Sequence, residues 1–371
     1  MAVRAVSAGF DLAVVGGGLV GSAIAWGAAR AGARVGLLDE GDVAFRAARG
    51  NFGLVWVQGK GAGMPAYAQW TRCSAELWPQ LAGAMASATG ADVALQRTGG
   101  LAFCLGDEEF ERRAALLRRM HNESGDIGTR MVGRAELLGM VPAIGPRVVG
   151  ASFCPMDGHA NPLILLRALQ QDFLALGGSY LPGRTVDRID GAFTLHVGAE
   201  RFVAERLVVA AGLGSARLAP MVGLDMPVRP LRGQVMVTER VRPFLGYASH
   251  ITRQTAEGSV MLGDSQEEAG FDTSTTATAM ADIAQRNVAV FPCLADAAIV
   301  RSWAALRVMT PDGLPLYEQS ASCPGAFAAT CHSGVTLAAA HALELAPAIL
   351  AGCLPGSLGD FSSRRFHVQA A

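Results

Sequence analysis

The sequence is short of lysine and has no basic tract. Lys60 is the single lysine among 31 basic residues, and 32 acidic residues leave a net charge of -1. Because binding to a nucleic-acid backbone needs a clustered positive surface, this composition argues against a nucleic-acid partner. Charged residues make up only 17% of the chain and hydrophobic residues 51%, which indicates a large folded core and excludes a disordered protein.

Metal-binding and membrane-spanning patterns are also missing. The seven cysteines are scattered, without a C-x-x-C pair or a cysteine and histidine cluster at metal spacing, so neither zinc nor an iron–sulfur centre is expected. No apolar stretch of about 20 residues runs without a break, so no spanning helix is expected. The apolar N-terminal region continues into a nucleotide-binding pattern rather than a cleavage site, which indicates a cytoplasmic protein. Peripheral contact with the inner face of a membrane stays open.

The stretch from residue 10 to residue 40 carries the strongest motif. A short apolar strand is followed by the pattern G-x-G-x-x-G at Gly16, Gly18 and Gly21, and then by a helix of small and apolar residues. The first glycine permits a tight turn, the second lets the backbone approach a pyrophosphate, and the third lets the helix pack on the strand. A second strand delivers Asp39 to the place where a carboxylate accepts hydrogen bonds from a ribose. The stretch predicts a dinucleotide-binding unit.

The order of the other predicted elements indicates an α/β fold in two parts. Helices are predicted over residues 67–81 and 108–121, the second with an arginine-rich face that we assign to solvent. After residue 227 alternating strands and one helix predict an antiparallel sheet, so this second part is α+β. We expect a discontinuous Rossmann-like cofactor-binding domain (residues 1–65, 145–222 and 300–371) and an antiparallel-sheet substrate or interface domain (residues 66–144 and 223–299).

Five motifs stand in order along the chain. They are GGGLVG at residues 16–21 with Asp39, LVVAAG at 207–212, LRGQVMV at 231–237, ALRVMTPDGLP at 305–315 and CHSGVTLAAAHA at 331–342. Together they resemble the FAD-dependent D-amino-acid oxidase superfamily, which includes glycine oxidase and sarcosine oxidase. Within it, residues 49–61 and 331–342 look most like the beta subunits of opine oxidase, D-hydroxyproline dehydrogenase and hydrogen cyanide synthase.

The resemblance implies FAD as the cofactor. Sarcosine oxidases attach their flavin to a cysteine just before the T-P-D turn, and residues 299–312 contain none, so non-covalent binding is expected. Residues 333–336 would present N–H groups at the start of the last helix to a flavin carbonyl. Ordinary loop polarity is an alternative explanation for the polar residues between 46 and 51. The expected cofactor-binding residues are Gly16, Gly18, Gly21, Asp39, Arg46, Arg49, Asn51, Gly53, Val186, Ala211, Gly212, Ser333, Gly334, Val335 and Thr336.

The resemblance also implies oxidation of an amino acid or secondary amine, of the opine, D-hydroxyproline or glycine type, by hydride transfer to flavin to give an imine. Arg307 matches the family arginine that clamps a substrate carboxylate, although a structural ion pair would also explain it. Lys60 and His250 are the other catalytic candidates. The alternatives are a solvated loop lysine and a structural histidine.

In the similar enzymes this subunit works with a second flavoprotein subunit and often a small iron–sulfur subunit. A dehydrogenase complex is therefore expected rather than an oxidase. Two other functions stay open: a flavin-dependent dehydrogenase for a 2-hydroxy acid, and a non-catalytic subunit that relays electrons or serves as a scaffold.

Overall fold

The computed structural model describes residues 9–41 and 47–367, except for the side chain of Arg49. The helices are α1 (Leu19–Arg30), α2 (Pro65–Thr89), α3 (Asp107–Ser124), α4 (Arg134–Met140), α5 (Pro162–Ala175), α6 (Ser215–Leu218), α7 (Ala277–Val290) and α8 (Ala338–Ala351). The strands are β1 (Leu12–Val15), β2 (Val35–Asp39), β3 (Leu54–Val55), β4 (Gly100–Cys104), β5 (Arg130–Gly133), β6 (Gly150–Cys154), β7 (Gly158–His159), β8 (Ser179–Pro182), β9 (Arg188–Asp190), β10 (Thr194–Val197), β11 (Glu200–Val203), β12 (Leu207–Val209), β13 (Arg229–Arg240), β14 (Ala248–Ser249), β15 (Thr252–Gln254), β16 (Ser259–Leu262), β17 (Ile299–Met309), β18 (Leu316–Gln319) and β19 (Ala326–Thr330).

A six-stranded sheet forms the first part, in the order β18-β19-β12-β1-β2-β8. Its strands are parallel except for the antiparallel β18 and β19 pair. Every residue of β1 is buried, which is expected of a strand covered on both faces. On one face, α1 and α5 are joined by a hydrogen bond of 2.7 Å from Trp26 Nε1 to Asp172. The other face packs against the meander β9-β10-β11 through residues such as Leu195 and Phe202.

Two four-stranded sheets form the second part. One has the order β15-β16-β13-β17 and is antiparallel, and the other has the order β14-β4-β6-β5. They share a hydrophobic core with α4 and α7, in which the rings of Phe103 and Phe291 meet edge to face at 5.1 Å. The core leaves α3 at the periphery, where only Ala114 and Met120 are buried.

This architecture confirms the predicted fold class, a mixed α/β fold with a Rossmann-like part and an antiparallel part. The domain boundaries stay a prediction, and two strands depart from them. β6 and β17 were placed by sequence in the cofactor-binding domain, but β6 pairs with β4 and β5, and β17 pairs with β13. The sequence of an apolar strand does not show which strand it pairs with, so these pairings could not be read from the sequence pattern alone.

The described residues contain no single helix that is long and apolar enough to cross a membrane. One pair of helices, Ala338–Ala351 and Gly356–Phe366, meets the length and composition criteria only when taken together, and it is bent by 104°. The first of the two contributes Ala338, Ala342 and Ile349 to the core that contains α1.

A close contact between α1 and α8 provides a test of this packing. A Cβ atom at Gly27 would lie 2.0 Å from the carbonyl oxygen of Ala342, so Gly27→Ala is expected to lower stability by about 1–3 kcal/mol through overpacking. Gly83 in α2 is the matched control, because no atom lies within 4 Å of its Cβ position, and Gly83→Ala is expected to gain about 0.5–1 kcal/mol. Thermal unfolding measures both. Equal melting temperatures for the two variants would contradict the packing.

Candidate functional site

Three glycines shape the first turn of the six-stranded sheet. Gly16 has φ +115°, and a Cβ atom there would lie 2.2 Å from the carbonyl oxygen of Ala210. A Cβ atom at Gly21 would lie 1.9 Å from the carbonyl oxygen of Gly16, so α1 approaches β1 as closely as only glycine allows. At Gly18, by contrast, no described atom lies within 4 Å of the Cβ position. The turn is therefore closely packed at Gly16 and Gly21 and open at Gly18.

The N-terminus of α1 faces this open space. The helix begins at Leu19 with Gly18 as its N-cap, and no side chain of the described chain caps it. Its first N–H groups are therefore available to a phosphate, whose charge the helix dipole also favours. We call the surrounding space the nucleotide cleft. The candidate cofactor-binding residues that line it are Gly16, Gly18, Asp39, Asn51, Val186, Ala211, Gly212 and Gly334.

Asp39 holds the turn beside this cleft. Its carboxylate accepts hydrogen bonds from the N–H of Gly17 at 2.6 Å and the N–H of Gly41 at 2.7 Å. Of the described residues, two more with charged side chains line the cleft, Glu40 and Arg184, and sequence reasoning missed both. Glu40 directly follows Asp39 and was recognisable from that position, whereas no motif marks Arg184.

A second cavity of about 450 Å³ adjoins the nucleotide cleft and shares Ala47, Asn51 and His332 with it. We call it the substrate cavity. Because the two spaces share walls, a dinucleotide in the cleft can present its reactive end to the cavity. The residues predicted to be catalytic, Lys60, His250 and Arg307, all line it.

The turn at residues 333–336 separates the two spaces, with Gly334 in the nucleotide cleft and the other three residues in the substrate cavity. The sequence prediction placed this turn at the helix start, but α8 begins at Ala338, after the turn. The reason is that Leu337 N–H bonds the carbonyl oxygen of Ser333 and Ala338 N–H bonds that of Val335, which closes a separate turn. Among the described residues, the N–H groups of residues 334–336 have no partner.

Helix α2 holds this turn from behind. Ser74 Oγ donates to the carbonyl oxygen of Thr336 at 2.7 Å, and Trp78 Nε1 donates to those of Val335 and Thr336 at 3.1 and 3.2 Å. From the other side, Thr336 Oγ1 donates to the carbonyl oxygen of Leu54 at 3.1 Å and accepts from the N–H of Trp56 at 3.2 Å. The carbonyl oxygens of Val335 and Thr336 are thereby engaged, while the N–H groups of residues 334–336 stay available to a ligand.

Lys60 lies between Gly59 and Gly61 in the loop after β3, and its side chain reaches the turn at residues 333–336. Its Nζ lies 2.8 Å from His332 Nε2 and donates to Ser333 Oγ at 2.9 Å, and Tyr67 donates to the same hydroxyl at 3.0 Å. Burial lowers the pKa of Lys60 to about 8, and the charge of Arg307 acts in the same direction. The ammonium of Lys60, followed by burial, lowers the pKa of His332 well below its usual value. His332 is therefore neutral, and its Nε2 can accept a hydrogen bond from the Lys60 ammonium.

A buried carboxylate fixes the loop that carries Lys60. Asp157 accepts hydrogen bonds from the N–H of Val57 at 2.6 Å and from Gln58 Nε2 at 2.7 Å. Burial raises the pKa of Asp157 to about 6, against the effect of these hydrogen bonds. These bonds to Asp157 hold Val57 and Gln58, which precede Lys60 in the loop. No motif in the sequence pointed to Asp157.

Arg307 extends from β17 into the substrate cavity beside a carboxylate. Its Nη2 pairs with Asp264, and its Nη1 donates to the carbonyl oxygen of Ser265 at 2.8 Å. Gly233 on the neighbouring strand makes room, because a Cβ there would lie 2.4 Å from Arg307 Nη1. Burial raises the pKa of Asp264, which the charge of Arg307 partly offsets. Asp264 was not predicted, and it supplies the ion pair that the sequence analysis named as the alternative role of Arg307.

His250 lies in the cavity wall near Trp56, with ring centroids 6.1 Å apart. Burial lowers its pKa to about 4, so the ring is neutral near pH 7. Its Nδ1 is buried and has no hydrogen-bond partner in the described chain. The catalytic and the structural role of His250 both stay predictions.

Some predicted residues do not line either space. Gly21 lies behind the turn, and Gly53 is enclosed by Arg253 and Ala160, each within 2.3 Å of its Cβ position. Gly53 donates its N–H to Asn51 Oδ1 at 2.7 Å, which orders the loop. Arg46 and the side chain of Arg49 lie outside the described residues.

Comparisons with known proteins agree with this geometry. The model of the DAO family, FAD dependent oxidoreductase, matches residues 11–348. The chain belongs to this family. An opine oxidase subunit of Agrobacterium tumefaciens is 43% identical over 366 residues, which cover 97% of this chain and 99% of the relative. A hydrogen cyanide synthase subunit of Pseudomonas aeruginosa is 26% identical over 412 residues, covering 98% and 97%. The structure of glycine oxidase from Geobacillus kaustophilus superposes with a TM-score of 0.85 at 25% identity, covering 95% of this chain and 98% of that chain.

Family membership makes the protein an FAD-dependent oxidoreductase and confirms the predicted cofactor. The open space at Gly18, the uncapped helix and the free N–H groups at residues 334–336 all suit FAD. The opine oxidase and hydrogen cyanide synthase relatives are each named as a subunit. Cys331 lies in the nucleotide cleft, where burial raises the pKa of its thiol to about 12. A protonated thiol is a poor nucleophile, which agrees with the prediction of non-covalent binding.

The carboxylate of Asp39 provides a test of the nucleotide cleft. Asp39→Ala is expected to weaken FAD binding by about 1–3 kcal/mol, because it leaves the N–H groups of the turn and any ribose contact without an acceptor. Asp11→Ala is the control, since Asp11 pairs with Arg34 on the exposed surface. Titration of the apoprotein with FAD measures both affinities. Equal affinities would show that FAD does not depend on Asp39.

Proposed function

We propose that the protein oxidises an amino acid or secondary amine that bears a carboxylate. The observation that supports this most directly is the arrangement of the substrate cavity, in which Arg307 and Lys60 share one space with the turn at residues 333–336. A guanidinium suits a carboxylate, and a lysine of lowered pKa suits an amine proton. When bound, FAD would accept two electrons, as a hydride from the carbon next to the amine, and leave an imine.

Arg307 would bind and orient the substrate. Its guanidinium keeps donors beyond those used by Asp264 and Ser265, because arginine has five N–H groups. The pairing with Asp264 fixes the plane of the guanidinium before the substrate arrives. Such an arrangement reduces the cost of ordering on binding.

Lys60 would accept a proton from the substrate amine. An amine must lose its proton before its lone pair can assist oxidation at the neighbouring carbon. Because the pKa of Lys60 is lowered to about 8, a neutral form is accessible near physiological pH. His332 and Ser333 hold the lysine nitrogen in position, at 2.8 and 2.9 Å.

The N–H groups of residues 334–336 would stabilise negative charge on a ligand at the junction of the two spaces. They are held in place before any ligand binds, because Ser74 and Trp78 engage the carbonyl groups of the same turn. Donors fixed in advance stabilise developing charge without the cost of reorganisation.

We further propose that the chain acts as the catalytic subunit of a dehydrogenase complex in the cytoplasm. The names of the relatives support a multi-subunit enzyme. The predicted partners are a second flavoprotein subunit and a small iron–sulfur subunit. They would carry electrons onward from the flavin. Co-purification of the tagged chain with proteins that carry these cofactors tests the proposal. A chain that is recovered alone and reduces oxygen at full rate would contradict it.

The class of substrate is tested by anaerobic reduction of the bound flavin. A carboxylate-bearing amine is expected to bleach the flavin absorbance, and the corresponding 2-hydroxy acid is expected to leave it unchanged. Bleaching by the hydroxy acid alone would support a 2-hydroxy acid dehydrogenase. A chain that binds FAD but is reduced by neither class would support an electron-relay or scaffold role.

The role of Arg307 predicts a defect in substrate binding with normal cofactor content. Arg307→Ala is expected to cost about 2–5 kcal/mol in kcat/KM, mainly through KM, because the buried carboxylate of the bound substrate loses its partner. Arg307→Lys should recover little, since a point charge cannot replace the planar guanidinium. Arg301→Ala on the same strand is the control, because Arg301 stacks on Trp303 and does not line the cavity. Unchanged kinetics of Arg307→Ala would sink the assignment.

The role of Lys60 predicts a pH dependence. At saturating amine, flavin reduction is expected to accelerate as pH rises through about 8, because the lysine accepts a proton only after losing its own. Lys60→Met should be slow and lack this step, and Lys60→Arg should stay slow because arginine keeps its proton. Rapid-mixing absorbance at several pH values measures the rates. A wild-type profile in Lys60→Met would assign the titration to another group, such as the substrate amine.

A further inference from the structure

Lys60 lines the substrate cavity, and no carboxylate of the described chain forms an ion pair with it. Its Nζ lies 2.8 Å from His332 Nε2 and 2.9 Å from Ser333 Oγ, and both of these side chains are neutral. Asp264, the described carboxylate of the cavity wall, pairs with Arg307 instead. The charged form of Lys60 is therefore not stabilised by a counter-charge in direct contact.

The hydrogen bonds of Lys60 use two of the three positions around its nitrogen. A charged lysine has three N–H donors, whereas a neutral lysine has two N–H groups and a lone pair. His332 and Ser333 take two of these positions, and Tyr67 fixes the Ser333 hydroxyl by donating to it at 3.0 Å. The third position has no partner among the residues described. In the neutral lysine this position is a lone pair that a ligand in the cavity can meet.

The surroundings of Lys60 also make the neutral form accessible. Burial, with the charge of Arg307 acting in the same direction, lowers the pKa of Lys60 to about 8. The carboxylates of Asp157 and Asp264 oppose this shift only in part. A neutral lysine is a nucleophile, and desolvation or a neighbouring cation is the usual way to activate a lysine that forms an imine. Both conditions are met here.

The proposed reaction would leave an electrophile in the same cavity. Oxidation of the substrate gives an imine, and hydrolysis of that imine gives a carbonyl compound. When the carboxylate is next to the oxidised carbon, this compound is a 2-oxo acid. Arg307 lines the cavity together with Lys60 and is suited to hold the carboxylate. The neighbouring carbonyl carbon then lies in the space that the lysine nitrogen shares.

We propose that Lys60 forms a covalent imine with a 2-oxo acid bound in the substrate cavity. The lone pair of Nζ adds to the carbonyl carbon, the nitrogen loses a proton, and the carbonyl oxygen takes one to become a hydroxyl group. Loss of this hydroxyl as water, with the second proton of the nitrogen, leaves the C=N bond. The sum is amine plus carbonyl compound to imine plus water, without an oxidant or a reductant. Water reverses the step.

The adduct would make the site self-limiting. This inference rests on the proposed function, since the 2-oxo acid is the product of the proposed oxidation. The lone pair that accepts a proton from the substrate amine is the one that forms the bond to the product. The two uses follow each other, because the adduct forms only when product is present. Accumulated product therefore blocks further turnover until water releases it.

Reductive trapping tests the inference. The chain contains one lysine, so its other primary amine is the N-terminal α-amino group. The ordinary pKa of that group, about 7.7–8.0, makes it a reference of matched basicity. FAD-loaded protein is incubated with pyruvate and cyanoborohydride, and peptide mapping by mass spectrometry measures the carboxyethyl group on each amine. Labelling of Lys60 is expected to be roughly 10-fold or more faster, because the bound carbonyl is held beside it.

The ratio between the two amines separates binding in the cavity from basicity alone. Butan-2-one, which is similar in size to pyruvate but has no carboxylate, is the control probe and should give Lys60 no advantage. Arg307→Gln should lower the advantage with pyruvate to the same level. Arg301→Gln on the same strand should keep it, because Arg301 does not line the cavity. Equal labelling of the two amines by pyruvate, or an equal advantage with butan-2-one, would overturn the inference.

A second measurement needs neither a reductant nor turnover. Lysine labelled with ¹³C at Cε gives one lysine signal in the NMR spectrum of this chain, that of Lys60, and Lys60→Arg confirms the assignment by removing it. Pyruvate is expected to move the signal to the position of an imine. A signal that millimolar pyruvate leaves in place would contradict the inference. If no amine reduces the flavin, the proposed function fails, and both measurements still decide whether Lys60 forms an imine.

Discussion

The site depends on how the turn at residues 333–336 is held between α2 and the segment before Lys60. Ser74 and Trp78 engage its carbonyl groups, and Thr336 bonds the backbone at Leu54 and Trp56. A polar turn in a buried position is stable only if its backbone groups are satisfied. Here the carbonyl oxygens of Ser333, Val335 and Thr336 are satisfied from within the chain, whereas the N–H groups of residues 334–336 have no partner in the described part of the chain. The same contacts join the nucleotide cleft to the substrate cavity.

The charge states of Lys60 and His332 follow from this arrangement. Lys60 is placed against the turn, where burial and the charge of Arg307 lower its pKa to about 8. The lysine in turn keeps His332 neutral. Arginine could not replace it, because a guanidinium keeps its proton under these conditions. This gives a physical reason for a lysine at one position in a chain whose other basic residues are all arginine.

Sequence reasoning predicted the parts of the site that a local motif encodes. Gly16, Gly18 and Asp39 belong to one continuous stretch, and their roles follow from backbone geometry that a glycine spacing records. Arg113, which lines the substrate cavity and donates to Gln58, was missed because its helix neighbours Arg112 and Arg118 are exposed. Helical periodicity alone assigned the whole arginine-rich face to solvent. Asp157 and Asp264 were missed because long-range packing brings them to Gln58 and Arg307. The partners of β6 and β17 depend on the same tertiary information.

The central claim is that the carbon next to a substrate amine gives up its hydrogen in the cavity formed by Arg307, Lys60 and the turn at residues 333–336. The most direct measurement is single-turnover anaerobic reduction of the bound flavin, with an amine carrying hydrogen or deuterium at that carbon. The account predicts that the deuterated amine reduces the flavin more slowly and that an imine, or the carbonyl compound from its hydrolysis, is released. Equal rates at every pH, or a flavin that no amine reduces, would contradict it.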